Sequence, residues 1–238
     1  MPKRFITYAA PLDDWQEGQT FPLPDDVQHH AQNVMRLQSG DALEICHPNG
    51  ILVSGCLDTA GCFRCTSKHI LTQAVRRFQI TLALSLIKWP RFEWAVEKIT
   101  ELGIQRLIPL QCQHSVIRIS DWSTKAGRIE KIAAQAARQS LNPTPPEILP
   151  PQTLESFCHH CDTALFFAQP GTHLSLHDAL SPLPRQTKIA FIAGPEGGFS
   201  HRETDLLQSC ASPISLGPNI LRTETAAISL ASILAFYG

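Results

Sequence analysis

Residues 191–203 of the chain read FIAGPEGGFSHRE and mark the point where an apolar run gives way to a glycine-rich turn. The run ends at Gly194, and three glycines and a proline lie within five residues. Ser200 followed three residues later by Glu203 is a capping-box pattern, which fixes the start of a helix. Because the glycine pair 197–198 has no side chains, its backbone N–H groups can approach a ligand closely. The stretch therefore predicts a binding loop at the end of a buried strand.

A second loop of similar build lies at 216–225 and reads LGPNILRTET. A strand is predicted to end at the pair 217–218, and Thr223 or Thr225 is the expected N-cap of the helix that follows. Either loop alone is compatible with an ordinary tight turn, but two of them at neighbouring strand ends predict a two-sided pocket. The spacing matches neither G-x-G-x-x-G nor G-x-x-x-x-G-K-[ST], which excludes the dinucleotide fingerprint and the P-loop.

Composition and charge set limits on the class of protein. The chain has 238 residues, of which 43% are hydrophobic, and its formal net charge is −1. This length indicates one or two domains, each with its own core. No stretch approaches the roughly 20 continuous apolar residues of a membrane helix, and the N-terminus lacks the apolar core of a signal peptide. We therefore expect a cytoplasmic protein without membrane association, whose nucleic-acid contacts, if any, come from a local patch.

The order of predicted elements divides the chain into two parts. The first seventy or so residues carry a helix at 25–37 and strands at 42–46, 51–57 and 62–70, which predicts a small β-rich module of barrel type. Strands and helices then alternate, with apolar strands at 78–87, 106–110, 163–168, 188–193 and 213–216 and helices that include 124–141 and 225–237. Such alternation predicts a parallel sheet covered on both faces, with ligands bound beyond the carboxyl ends of its strands.

Two cysteine pairs have the spacing of metal ligands. Cys62 and Cys65 form one pair, Cys158 and Cys161 the other, and four such ligands would suffice for zinc. The pairs are far apart in the sequence, and neither has the flanking glycines of a zinc knuckle. We therefore expect buried or half-buried thiols and no metal. The eight cysteines in a chain of this length favour a reducing compartment over a disulfide scaffold.

The combination of GPEGG after a strand with LG-x-x-ILRTETA resembles the SPOUT superfamily of methyltransferases. Within it, the chain is similar to the family of ribosomal RNA small subunit methyltransferase E, which methylates N3 of a uridine in 16S ribosomal RNA. The similarity extends over nearly the whole chain. It includes HAQNVMRL at 30–37 and EWAVEKITELG at 93–103, and the two glycine loops are its most specific part.

The resemblance implies an α/β fold class with two domains. We expect a PUA-like RNA-binding β-barrel over 1–72 and a SPOUT trefoil-knotted methyltransferase domain, with its knot at the C-terminus, over 73–238. The resemblance also implies a homodimer that uses S-adenosyl-L-methionine as cofactor. Its partner would be 16S ribosomal RNA or the small ribosomal subunit.

Site residues also follow from the resemblance. Cofactor contacts are expected at Phe167, Ala193, Gly194, Glu196, Gly197, Leu216, Gly217, Ile220, Leu221 and Thr223. Phosphate contacts with RNA are expected at Lys3, Arg4, Arg36, Lys88 and Arg91, although each is also compatible with an ordinary surface charge.

The implied reaction needs help at the acceptor atom, because N3 of uracil carries a proton at neutral pH. Arg222 is the candidate that would hold a uracil oxygen and stabilise the developing negative charge. Glu224 and Glu196 are the nearest carboxylates, and either one could accept the proton, cap a helix or pair with Arg222. The catalytic candidates are therefore Arg222 and Glu224, and the identity of the base stays open.

Some positions depart from the family pattern. Asn33 stands where a basic residue is common, and His114 and Asn142 stand where arginines are usual. Arg138 replaces a glutamate. These departures bear on RNA contacts near 138–142 more than on the cofactor. Two other readings therefore remain open, namely a SPOUT methyltransferase that acts on another RNA position and a non-catalytic assembly factor that binds ribosomal RNA.

Overall fold

The computed structural model describes residues 3–7, 12–47, 50–70, 77–140, 142, 144–160 and 163–235. Two compact units are present. The described residues up to 70, together with those between 138 and 144, form the first unit, and the rest form the second. The domain boundary predicted between residues 72 and 73 lies outside the described residues.

The first unit is built around a five-stranded sheet. Its strands are β1 (Lys3–Ile6), β2 (Thr20–Phe21), β3 (Ala42–Cys46), β4 (Ile51–Leu57) and β5 (Phe63–Ile70), paired in the order β1-β3-β4-β5-β2. The β1–β3 pair is parallel and the other pairs are antiparallel. Leu43, Ile45 and Phe63 are fully buried in its core. The strands predicted at 42–46, 51–57 and 62–70 are confirmed.

The helix predicted at 25–37 is shorter and less regular than the periodicity suggests. Helix α1 (Asp25–His29) continues into a π-helical turn at 30–34. Each segment buries one apolar side chain, Val27 in α1 and Ala31 in the π-helical turn. Arg36 has a φ of 52°, a left-handed conformation that cannot continue a right-handed helix. The predicted extension to residue 37 is therefore wrong.

The second unit contains a parallel sheet. Its strands are β6 (Phe78–Ser85), β7 (Arg106–Gln111), β8 (Glu147–Ile148), β9 (Gln152–Thr153), β10 (Ala164–Ala168), β11 (Thr187–Ala193) and β12 (Ser212–Ile214). They pair in the order β12-β10-β11-β6-β7-β8, and β9 also pairs with β7. Every one of these pairs is parallel. Residues 189–193 of the central strand β11 are all buried, which confirms the sheet predicted from apolar strands.

Six α-helices accompany this sheet in the described residues: α2 (Trp89–Glu101), α3 (Ala126–Gln139), α4 (Leu154–His160), α5 (Leu176–Leu180), α6 (His201–Cys210) and α7 (Thr223–Ala235). Helix α2 carries Pro90 in its first turn, where a missing N–H costs nothing. Gly103 follows its end with a φ of 78°, a left-handed conformation typical of the residue after a helix. Helix α7 packs against α2, β6 and β11. Its threading through an earlier loop stays a prediction.

Two further expectations concern metals and membranes. Cys65 and Cys158 are buried in different units, and Cys161 lies outside the described residues. Within the described ranges, no three His, Cys, Asp or Glu side chains come together as a metal site. No helix in the part of the chain that the structure describes is both long and apolar enough to cross a bilayer.

Gly55 offers a test of the packing in the first unit. It sits at a shift in the β4–β5 register, and an added Cβ would clash with the backbone oxygen of Arg64 and lie 2.7 Å from the Phe63 ring. Gly55→Ala should lower the free energy of unfolding by about 2–3 kcal/mol, measured by urea denaturation, because the backbone must move. The control is Gly127→Ala, where nothing lies within 4 Å of the new Cβ, and stability should be unchanged or higher. Equal stability of the two variants would contradict the described packing.

Candidate functional site

Three loops at the carboxyl ends of adjacent strands enclose a cavity of about 560 Å³. They follow β10, β11 and β12. The segments 168–170, 194–199 and 216–222 line the cavity, except at Gly197 and Pro218. This is the edge of an open parallel sheet at which ligands bind. The pocket predicted between the two glycine loops is therefore present, and a third loop completes it.

One hydrogen bond joins the two glycine loops. The Oγ1 hydroxyl of Thr223 donates to the backbone oxygen of Gly194 at 2.7 Å. Thr223 is buried and is the first residue of α7. Its hydroxyl therefore connects the start of the last helix to the end of β11, instead of serving as the N-cap that the sequence predicts.

Close packing explains the glycines of the first loop. A Cβ on Gly194 would lie 2.6 Å from the ring of Phe199, and Gly198 has a φ of 72°, which favours glycine. The Phe199 ring packs edge-on against Phe167, with 6.2 Å between ring centroids. The loop thus folds tightly over an aromatic pair at the base of the cavity.

The predicted capping box at the start of α6 is confirmed. Glu203 Oε2 accepts a hydrogen bond from the Ser200 backbone N–H at 2.9 Å, and Ser200 Oγ accepts one from the Glu203 N–H. The other oxygen of the same carboxylate, Oε1, accepts from the Gln113 N–H at 2.7 Å. Glu203 therefore fixes both the helix start and the turn that follows β7.

His114 lies in that turn and contacts the first glycine loop. Its Nδ1 is 3.0 Å from the backbone oxygen of Gly198, and because a carbonyl oxygen only accepts, Nδ1 must carry the proton. A Cβ on Gly197 would lie 3.0 Å from His114. Cys112 follows β7 and is buried. Burial raises the pKa of its thiol to about 12, so the thiol stays protonated and is not a nucleophile.

Arg91 lies at the cavity between two carboxylates. Its Nη1 donates to Glu196 Oε1, and its Nε is 3.7 Å from Glu224 Oε1. Glu224 is only 5% exposed, and its Oε2 has no hydrogen-bond partner within the described residues. The two carboxylates therefore pair with Arg91, which the sequence predicts as an RNA contact. Arg222 is the partner that the sequence suggests for these carboxylates.

Most of the predicted cofactor contacts lie in one place. The cavity is lined by the predicted residues Phe167, Gly194, Glu196, Leu216, Gly217, Ile220, Leu221 and Thr223, and by Arg222. Ala193 is fully buried at the end of β11, Gly197 packs against His114, and Glu224 is buried beside Arg91. These three lie outside the lining, and the binding roles of the whole set stay predictions.

The other predicted RNA contacts are spread over both units. Lys3, Arg4, Arg36 and Lys88 are exposed. Arg4 pairs with Glu44 at 2.8 Å, so part of its charge is already neutralised. Arg138, one of the departures from the family pattern, lies 3.4 Å from Asp26 within the first unit. Contact of these residues with RNA stays a prediction.

Sequence reasoning missed part of the lining. The additional residues are Ala168, Gln169, Pro170, Pro195, Phe199, Thr204, Asn219 and Ala226, with Arg91 assigned to another role. The loop at 168–170 carried a usable signal, because it follows a buried strand and leads to Gly171 with a φ of 81°. Phe199 and Ala226 carried none, because an apolar residue at such positions is typical of an ordinary core.

Known proteins resemble this chain over most of its length. The RNA methyltransferase domain family matches residues 75–235, and the RNA methyltransferase PUA domain family matches residues 23–58. The Ribosomal RNA small subunit methyltransferase E of Bacillus subtilis is 29% identical, over 93% of this chain and 91% of its own. Its counterpart in Rickettsia conorii is 30% identical over 86% and 84%. A methyltransferase of Legionella pneumophila, solved with its cofactor SAM bound, has a TM-score of 0.79 at 26% identity and covers 98% of this chain and 97% of its own.

The bond between the loops can be tested with Thr223→Val, which keeps the side-chain shape but removes the donor to Gly194. The free energy of unfolding should fall by about 1–2 kcal/mol, because the carbonyl loses its partner. Thr223→Ser keeps the hydroxyl and should retain more of that stability. Urea denaturation of both variants checks this, and a valine variant as stable as the parent would show that the bond is dispensable.

Proposed function

The chain belongs to the family of ribosomal RNA small subunit methyltransferase E, and we propose from this premise that it methylates N3 of a uracil in 16S ribosomal RNA. It is an RNA methyltransferase, and its cofactor is S-adenosyl-L-methionine. The observation that carries the proposal is the cavity at the carboxyl edge of the sheet. Its only charged lining residues within the described part of the chain are Arg91, Glu196 and Arg222.

The cavity fits a nucleoside cofactor. Its volume of about 560 Å³ lies in the range of small-molecule sites. Phe167, Leu216 and Leu221 supply apolar surface for a base and a carbon chain. Gly217 is exposed and carries no side chain, so its backbone is accessible to the sugar and amino-acid groups of a ligand. When bound there, S-adenosyl-L-methionine supplies a methyl group on a positively charged sulfur.

The residues of the chain then have two tasks at N3 of uracil, the atom that accepts the methyl group. The arrangement must place N3 in line with the methyl group, and positioning of this kind accounts for a large share of many rate enhancements. Removal of the N3 proton leaves negative charge on the uracil oxygens. The Arg222 fork, which lines the cavity, would donate to such an oxygen and stabilise that charge.

The working assembly in this proposal is a homodimer in the cytoplasm that acts on 16S ribosomal RNA or on the small subunit. Ile220 lines the cavity and is 83% exposed, and Val116 and Trp94 of the same unit are 58% and 47% exposed. Large exposed apolar side chains are typical of surfaces that another chain covers. These side chains support a partner at the second unit.

Arg222→Ala tests the mechanism. The variant should keep its affinity for S-adenosyl-L-methionine within a few-fold in calorimetry, while turnover falls about 100-fold or more, as on removal of an oxyanion donor. Arg222→Lys should recover part of the turnover, because the charge is kept but the fork is lost. Turnover of the alanine variant equal to that of the parent would remove Arg222 from the mechanism.

The acceptor atom is tested by mass mapping of uridines in 16S ribosomal RNA. A strain that lacks the gene should lose one N3-methyluridine, and small subunits from it should regain the mark when incubated with the purified protein and S-adenosyl-L-methionine. Persistence of every N3-methyluridine in that strain would refute the proposal. Loss of a different methylated nucleotide would assign the enzyme to another RNA position.

A further inference from the structure

The Arg91 guanidinium connects three segments of the second unit. Arg91 lies in the first turn of α2, Glu196 lies in the loop after β11, and Glu224 lies in the first turn of α7. The side chains of Arg91 and Glu196 are 37% and 27% exposed, whereas that of Glu224 is 6% exposed. The bridge therefore has a buried end at Glu224 and an accessible end at Glu196.

The two carboxylates are not equivalent partners of Arg91. An ionised carboxylate as buried as Glu224 is costly unless a cation stays beside it, and its Oε2 has no hydrogen bond within the described residues. Glu224 therefore holds Arg91 at the cavity. The pair with Glu196 is open to water, and pairs of that kind contribute little, so another anion can replace Glu196 on the guanidinium.

We infer that Arg91 exchanges Glu196 for a phosphate of the RNA, and that the released Glu196 carboxylate accepts the N3 proton. This rests on the proposed function. Arginine binds phosphate oxygens with paired, parallel donors, which suits it to this exchange. Glu196 lines the cavity, whereas Glu224 does not. Glu196 is thus the proton acceptor, and Glu224 is a positioning residue.

The step balances in atoms and charge. The N3–H bond breaks, its proton moves to Glu196, and the nitrogen keeps the electron pair. That pair forms the bond to the methyl carbon, while the pair of the broken carbon–sulfur bond stays on sulfur and cancels its positive charge. Glu196 then returns the proton to water.

Charged groups from three elements border this site: Arg91 from α2, Arg222 from the second glycine loop and Glu224 from α7. Because Glu196 must be ionised to accept a proton, turnover should be lost toward acid pH. A variant without this carboxylate should lack that dependence.

Glu196→Gln tests the proton acceptor. With S-adenosyl-L-methionine and RNA both saturating, the single-turnover rate should fall about 100-fold or more, and the acid limb of the pH–rate profile should disappear. Saturation separates this role from a contact that only binds the cofactor, since full occupancy would restore the rate in that case. A rate within three-fold of the parent, or an unchanged acid limb, would overturn the inference.

Arg91→Met tests the phosphate exchange. In RNA titrations at several salt concentrations, its slope of log K against log salt should be smaller by about 0.7–0.9, the value for one lost phosphate contact. The matched control is Arg202→Met, which breaks the surface pair between Arg202 and Glu155 and should leave slope and turnover unchanged. An unchanged slope for Arg91→Met overturns the exchange. A parent protein that methylates no uridine would refute the proposed function itself.

Discussion

The hydrogen bond from Thr223 to Gly194 is the contact on which the geometry of the site depends. It joins two loops whose bonded residues are 29 positions apart. Both ends are anchored in regular structure, because Gly194 follows the buried central strand β11 and Thr223 starts a helix that packs against α2. A cavity wall held in this way is set before a ligand arrives, so little binding free energy is lost in ordering the loops.

Polar contacts also connect the first glycine loop and the start of α6 to the turn that follows β7. Glu203 accepts hydrogen bonds from Ser200 and from Gln113, and His114 donates to Gly198. The histidine that departs from the family pattern therefore keeps a hydrogen bond to the loop. The first glycine loop is therefore supported at this position.

The sequence predicts much of the sheet and the position of the pocket, because apolar runs, glycine turns and a capping box are local signals. It does not predict which side chains meet across the pocket. Arg91 resembles any exposed cation of a helix, and its partner Glu196 is 105 positions away. They meet because β6, which leads into α2, lies beside β11, an order that local patterns do not encode. The end of α1 was also missed, because nothing local to Arg36 indicates a φ of 52°.

The place of β6 in the sheet has a consequence for synthesis of the protein. One edge of this apolar strand pairs with β7, which follows it closely, but the other edge pairs with β11, which leaves the ribosome about a hundred residues later. Until β11 has been synthesised, this edge of β6 is unpaired and can pair with other chains. Binding of a chaperone would protect it from aggregation. A chain released early by interrupted translation therefore has an unpaired edge on β6 and lacks the loops that line the cavity.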